Sequence, residues 1–460
     1  MPFRTRRPGA PLRLSARRVA RFLTVFALLF ALVAGDAALA VAIGPSAQQA
    51  AKKKKKKHKK KCTRYKTVRV KKKGKVKKVR RCVSHKKKCK RYKTVRVKRK
   101  GHWKKVRRCA KPKKKPAATN PAPGGGANSG PVTMPLVYGM NSVTMDDGTL
   151  SNVAGAGVSM TRRPMHWGDI ESSPGHFNWS QYDNEYIPEA RHGLTVMPVI
   201  VDDPSWAAPS EFTIPSNPAA YADFAAQVAA RYGPGGSFWA THPTVPYHPT
   251  LAIETWNEPY WYSFNDSGAD PGTYARLVKA AGAAIHAANP QVKVLLAADL
   301  TGYVSDSKQV EWVNTMYSAV PDLNSYFDGV AVHPYSWPDA PDVYDGPGDR
   351  WAFKRIGDIR AKFVAHGAAN KGFWITEVGY PTCSGSNRCV SEAAQASDLA
   401  RIFQLVKTDY AGFMQAIFIY NYKDPSGAGS SDPEGWFGLL RSNGSAKPAW
   451  NVLRQATGAG

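Results

Sequence analysis

Two apolar runs in this chain each end on a carboxylate, and together they define the chemistry open to it. The stretch Leu251-Ala252-Ile253-Glu254-Thr255-Trp256-Asn257-Glu258-Pro259 is too short before Asn257 for a helix and rich in residues that suit a buried strand. It stops at Pro259, which cannot donate to a continuing ladder. Farther along, Gly372-Phe373-Trp374-Ile375-Thr376-Glu377-Val378-Gly379-Tyr380-Pro381 repeats the pattern and brings its strand to Glu377. Two carboxylates at the tips of two parallel strands can face each other across a sugar, one as acid and one as nucleophile. An isolated Asn-Glu-Pro would suit a helix start equally well, so it is the second strand that turns the reading to catalysis. Glu254 shares the strand parity of Glu258. Four residues at about 3.3 Å each would put the two roughly 13 Å apart, so Glu254 reads as a buried structural carboxylate.

Strand tips need a scaffold, and from Met134 onward short buried strands alternate with amphipathic helical stretches. Strands are predicted over 136–141, 158–162, 195–200, 251–257, 292–297, 329–333, 373–377 and 416–421. Helical stretches include 218–232, 273–288 and 391–407. Eight such units predict an α/β protein, a (β/α)8 TIM barrel with long loops over residues 134–460, with its chemistry at the C-terminal ends of the strands.

The ordered set of motifs on this frame resembles the clan A retaining glycoside hydrolases, most of all the cellulase-like family 5 and the xylosidase-like family 39. Asn257-Glu258-Pro259 is similar to their acid/base strand and Thr376-Glu377-Val378-Gly379 to their nucleophile strand. Arg162 with Trp167, then Ser173-Pro174-Gly175-His176-Phe177-Asn178-Trp179 and Asp183, resembles the segment after the second strand. Asp203-Pro204-Ser205-Trp206 resembles the aromatic loop after the third, and His333-Pro334-Tyr335 the His-x-Tyr of the sixth. Trp436-Phe437-Gly438-Leu439-Leu440 and Lys447-Pro448-Ala449-Trp450 resemble the C-terminal signature. In one respect the chain departs: where many members end the eighth strand on a tryptophan platform, it carries Ile419-Tyr420-Asn421-Tyr422, which leaves the identity of the sugar open.

The resemblance implies roles. Glu258 would protonate the leaving oxygen and then deprotonate water, while Glu377 would attack as the ionised nucleophile. Arg162 and Tyr335 would hold that carboxylate ionised, and Asn257 would donate to the sugar 2-hydroxyl. His333 is a site candidate beside them, or a satisfied core histidine. Trp206, Trp337, Tyr420 and Trp436 could stack on sugar faces or simply anchor loops.

Charge divides the 460-residue chain, whose net charge is +33. Residues 51–116 hold 38 Lys and Arg and no acid, whereas residues 117–460 hold 21 basic and 32 acidic residues, a net charge of −11. Before the basic arm, Arg17, Arg18 and Arg21 precede an apolar run over 22–34 and Ala38-Leu39-Ala40, the pattern of a secretory signal peptide over 1–40. Export makes disulfides the expectation for the three close cysteine pairs, Cys62 with Cys82, Cys89 with Cys109, and Cys383 with Cys389. Residues 41–116 form the arm, in which CTRYKTVRVKKKGKVKKVRRC and CKRYKTVRVKRKGHWKKVRRC are two copies of one unit. Each reads as a cysteine-closed hairpin, and the Pro/Gly-rich stretch 117–133 reads as a flexible spacer.

No Cys-x-x-Cys, His-Glu-x-x-His, phosphate-loop or NAD motif is present in the sequence, so neither catalytic metal nor cofactor is expected. The expected function is an exported retaining β-glycosidase acting on a β-linked polysaccharide, held near anionic cell-envelope polymer by its arm. The alternative is an inactive barrel serving as a carbohydrate-binding surface protein. The presence together of Glu258, Glu377, Arg162, Asn257 and Tyr335 favours the enzyme. Tyr65, Tyr92 and Trp103 among the lysines would also suit nucleic acid. Export argues against that as the main role.

Overall fold

The computed structural model describes residues 62–72, 75–85, 92–99, 102–109 and 136–460, apart from 216, 262–263, 266–269, 299–302, 305–307, 310 and 347–351. The expected signal peptide, the spacer, and the arm pairings of Cys62 with Cys82 and Cys89 with Cys109 lie outside what is described. The chain divides into two compact units, one spanning residues 39–129 and the other containing residues 130–460.

In the first unit the duplicated sequence forms two antiparallel hairpins of the same register. Strand Cys62–Lys72 pairs with Lys75–His85, and Tyr92–Arg99 with His102–Cys109. Lys72 lies opposite Lys75 and Arg99 opposite His102. In both copies the second cysteine is opposite the tyrosine, Cys82 across from Tyr65 and Cys109 across from Tyr92.

The second unit is the predicted barrel. Its strands are β1 (Val137–Asn141), β2 (Met160–His166), β3 (Thr195–Val201), β4 (Ala252–Thr255), β5 (Lys293–Ala297), β6 (Gly329–Val332), β7 (Gly372–Val378) and β8 (Met414–Ile419). All eight match the expected strands to within a few residues. Each pairs in parallel with its neighbours, and β8 closes onto β1. After each strand in turn comes one of the helices α1 (Asp147–Gly155), α2 (Ser180–Arg191), α3 (Ala219–Tyr232), α4 (Pro271–Ala288), α5 (Trp312–Ala319), α6 (Arg355–Ala365), α7 (Glu392–Thr408) and α8 (Pro448–Thr457).

Helix starts follow local chemistry. Asp146 accepts a hydrogen bond from the Thr149 amide at α1, and Ser391 from that of Ala394 at α7. At α4, Asp270 caps Gly272 while Pro271 supplies a pre-set φ where no N–H is needed.

Alternation along the strands splits the core in two. Met160, Met197, Ala252, Leu295, Ala331, Trp374, Ala416 and Phe418 point inward and fill the barrel. Their neighbours, such as Ile253, Val294, Val330 and Ile375, join the larger layer beneath the helices. The interior is therefore packed, which leaves its C-terminal mouth as the place for a site.

Candidate active site

Both carboxylate-bearing strands break alternation where the carboxylate is reached. On β4, Ala252 and Glu254 point inward, and a straight continuation would point Trp256 inward too. Trp256 instead takes φ 72° and Glu258 φ 41°. Trp256 swings into the outer layer, where its indole donates to the Phe264 carbonyl at 2.6 Å, and Asn257 and Glu258 turn toward the mouth. On β7, Trp374 points inward, and strict alternation would send Glu377 outward. A register irregularity between Ile375 and Val378 against β8 lets Thr376 and Glu377 both face the site. Beyond it, a Cβ on Gly379 would lie 1.9 Å from the Tyr420 carbonyl oxygen, so only glycine fits there.

Arg162, buried on β2, organises the floor. Its Nε donates to Glu254 Oε2 at 2.6 Å, Nη1 to Glu377 Oε1 at 2.6 Å, and Nη2 to Asn257 Oδ1 at 2.7 Å. Engaging Oδ1 turns the NH2 of Asn257 away from the arginine. Asn141, at the end of β1, accepts from Nη1 at 3.3 Å and donates to the Thr376 carbonyl at 3.0 Å. Tyr335 donates to Glu377 Oε2 at 2.9 Å. His333 places Nδ1 2.8 Å from Glu258 Oε1 and Nε2 3.1 Å from the Thr376 hydroxyl, which itself donates to Glu254.

Glu254 and Glu258, expected to be too far apart to act on one bond, are linked through a third side chain. The single imidazole of His333 spans the gap, with Nε2 3.9 Å from Glu254 and Nδ1 on Glu258. Glu254 remains structural, as the fully buried partner of Arg162.

Carboxylate oxygens of Glu258 and Glu377 and a ring nitrogen of His333 all lie within 4.8 Å of one another. The environments of the two acids differ. Burial raises the pKa of Glu258, helped by the charge of Glu377 and opposed by His333 and Arg162. Burial acts on Glu377 too, but the charges of His333 and Arg162 and the Tyr335 hydrogen bond outweigh it and hold its pKa below the ordinary value. The second oxygen of Glu258 is buried and has no hydrogen-bond partner.

Among the described residues, Glu258, His333 and Glu377 are the set whose donors could converge on a metal ion. Arg162 already sets a fixed positive charge against Glu377, which suits acid–base and nucleophilic chemistry better than cation binding.

The expected aromatics part company. Tyr420 stands beside the site, its ring edge-on to Tyr335 at 6.4 Å and to Phe437 at 5.3 Å. Trp206 and Trp436 brace loops: their indole N–H groups donate to the carbonyls of Glu171 and Gly429, and Trp206 packs edge-on against Trp167. Trp337 packs on Phe437, with Arg388 over its ring. In the loop after the nucleophile strand, Cys383 and Cys389 are disulfide-bonded as expected.

One carboxyl near the site escaped the sequence reading. Glu434 is buried, and burial together with Asp432, Glu377 and Glu258 pushes its pKa up to about 8. Its only sequence signal is an acid between Pro433 and Gly435 just before Trp436, which is too common a pattern to single out.

No family model matches the chain, and no curated protein matches it in sequence. Solved structures do match the barrel. A family 39 glycoside hydrolase from Bacteroides cellulosilyticus WH2 aligns with a TM-score of 0.54 at 21% identity over 71% of this chain. The chain spans 64% of the length of that enzyme. A glucosidase from Croceicoccus marinus aligns with a TM-score of 0.52 at 14% identity, covering 70% of this chain and 67% of its own. GH5_18 from Streptomyces cattleya, solved in complex with GlcNAc, aligns with a TM-score of 0.50 at 16% identity, covering 70% of this chain and 79% of its own. What this chain shares with these solved glycoside hydrolases is the (β/α)8 barrel fold.

Proposed function

We propose that the barrel is a retaining β-glycosidase acting on a β-linked polysaccharide, with Glu258 as acid/base and Glu377 as nucleophile. The observation that carries this reading is the approach of the two carboxylates. Their oxygens come within 4.8 Å, near the roughly 5 to 5.5 Å of retaining sites and short of the roughly 6.5 to 9.5 Å that seats a water in inverting ones. Their opposed pKa shifts supply the matching protonation states, a proton on Glu258 and a charge on Glu377. In the first step Glu377 attacks the anomeric carbon as Glu258 gives its proton to the leaving oxygen. In the second, Glu258 takes a proton from water, which displaces Glu377. Asn257, oriented by Arg162, would meet the 2-hydroxyl.

The likeness to a family 39 enzyme and to the GlcNAc complex supports a glycan substrate and does not choose among sugars. The sequence pattern of residues 1–40 supports export, and the arm's 38 basic residues support tethering to anionic envelope polymer.

The test is hydrolysis of a panel of β-glucans, xylans, mannans and bacterial exopolysaccharides, with proton NMR of the newly released reducing end. Initial appearance of the β-anomer is expected. Initial α-anomer would overturn retention, and no hydrolysis of any β-glycan would favour an inactive carbohydrate-binding barrel.

A further inference from the structure

A cavity of about 380 Å³ opens at the C-terminal ends of β2 and β3, within the roughly 300 to 1,000 Å³ of small-ligand sites. His166 ends β2 on one side of it, and the segment after β3 supplies Asp202, Asp203 and Glu211, with Asp169 beside them. No lysine or arginine is among its described lining residues. The wall is held by backbone bonds: the Gly168 amide donates to the Asp202 carbonyl, and the Asp203 amide to that of Glu211, both at 2.9 Å.

Asp203 is 5% exposed, and neither of its carboxylate oxygens has a hydrogen-bond partner. Asp202 contacts His166 Nδ1 through Oδ2, while its Oδ1 is likewise buried and unpartnered. Buried carboxyls are ordinarily paired or hydrogen-bonded, so an orphan at the wall of a cavity marks a missing donor. Burial and then the charge of Asp202 push Asp203 up to about 9, as befits an acid without its counter-cation.

We propose that this cavity is a subsite for a protonated amino-sugar unit, and hence that the glycan substrate carries free amines. Without a counter-cation Asp203 keeps its proton; an entering ammonium group brings positive charge and three donors and so lets the carboxyl ionise and accept from it, whereas a hydroxyl brings one donor, no charge and its own lone pairs. A bare metal ion fits less well. Among the described residues, donor atoms close enough to share an ion occur at Glu258, His333 and Glu377 and not around Asp203. The cavity also lies on the strand-end face that carries the two glutamates, and β3 is the direct neighbour of β4. The inference rests on the glycosidase reading and adds the class of sugar.

The experiment is calorimetric titration of the full-length protein, at a pH where the amine is protonated, with methyl β-D-glucosaminide, its N-acetyl counterpart, methyl β-D-glucoside and Nα-acetyl-lysine amide. The amine-bearing sugar is expected to bind at least tenfold more tightly than the other three. That preference should fall at least fivefold in Asp203→Asn and in Glu211→Gln, two variants that nearly preserve side-chain volume. Equal binding of the sugars, equal binding of the lysine probe, or a preference unchanged in both variants would overturn the proposal. Retaining hydrolysis without amine preference would sink only this inference. Amine preference with no hydrolysis of any β-glycan would sink only the glycosidase reading.

Discussion

His333 touches Glu258 through Nδ1 at 2.8 Å, and the same nitrogen lies 3.6 Å from Glu377. One imidazole therefore reports on both carboxylates. The Thr376 hydroxyl donates to Glu254, so Nε2 of His333 is the donor toward Thr376. The proton between Nδ1 and Glu258 is then shared by the acid and the ring. Burial lowers the pKa of His333, but the charge of Glu377 and the bond to Glu258 outweigh it and leave the pKa raised. The three groups titrate as a unit.

This coupling sets the pH profile. Activity requires Glu377 ionised and Glu258 protonated, so kcat/KM should fall on the acid side below the ordinary glutamate value of about 4.3 and on the basic side above it. The positive charge of His333 lowers the pKa of both acids, so its removal in His333→Asn should move both limbs to higher pH. Limbs that stay in place or move down would contradict the arrangement.

Glu377→Ala should be close to inactive on every substrate. Glu258→Ala should lose roughly 10²- to 10⁴-fold on glycans, the usual contribution of a general acid. It should still form a glycosyl-enzyme with aryl glycosides whose leaving groups need no proton, seen as a burst of released phenol. Equal losses on both substrate types would remove Glu258 from the acid role.

Arg162→Met would leave Glu254 and Glu377 buried without their counter-charge. Breaking a buried pair in this way costs about 3 to 5 kcal/mol, to be read by urea unfolding. Arg162→Lys should restore little of it, because a single ammonium cannot present the fork that meets four side chains at once. A loss under about 1 kcal/mol would contradict a central role for this residue.

Reduction of Cys383–Cys389 should alter KM or kcat more than the melting temperature. The bond closes a loop with a sequence separation of 6, and the entropic contribution of a cross-link shrinks with its loop. The segment follows β7 directly, so freeing it loosens the surroundings of Glu377. A large drop in melting temperature with unchanged kinetics would reverse this assignment.

Full-length protein should sediment with isolated cell envelopes and release steeply with added salt, since charges are screened within about 10 Å at 0.1 M ionic strength. A form lacking residues 51–116 should stay in solution yet hydrolyse a small soluble substrate at the same rate. Equal sedimentation of both forms, or indifference to salt, would refute the tether.

The barrel, its eight strands and the two glutamates were legible in the linear chain. Apolar runs bounded by turn residues are a local property, as is the division of charge between arm and barrel. What only the tertiary structure decided is where strand geometry gives way. The positive φ of Trp256 and Glu258 accompanies the bond from Trp256 to the Phe264 carbonyl, and the irregularity on β7 lies in its pairing with β8; an apolar pattern along the chain reports neither. Those departures turn Glu258 and Glu377 toward the site. The orphan carboxyl of Asp203 is of the same kind. An acid before a proline is unremarkable in sequence, and becomes a binding group only because folding buries it at the wall of a cavity without a partner.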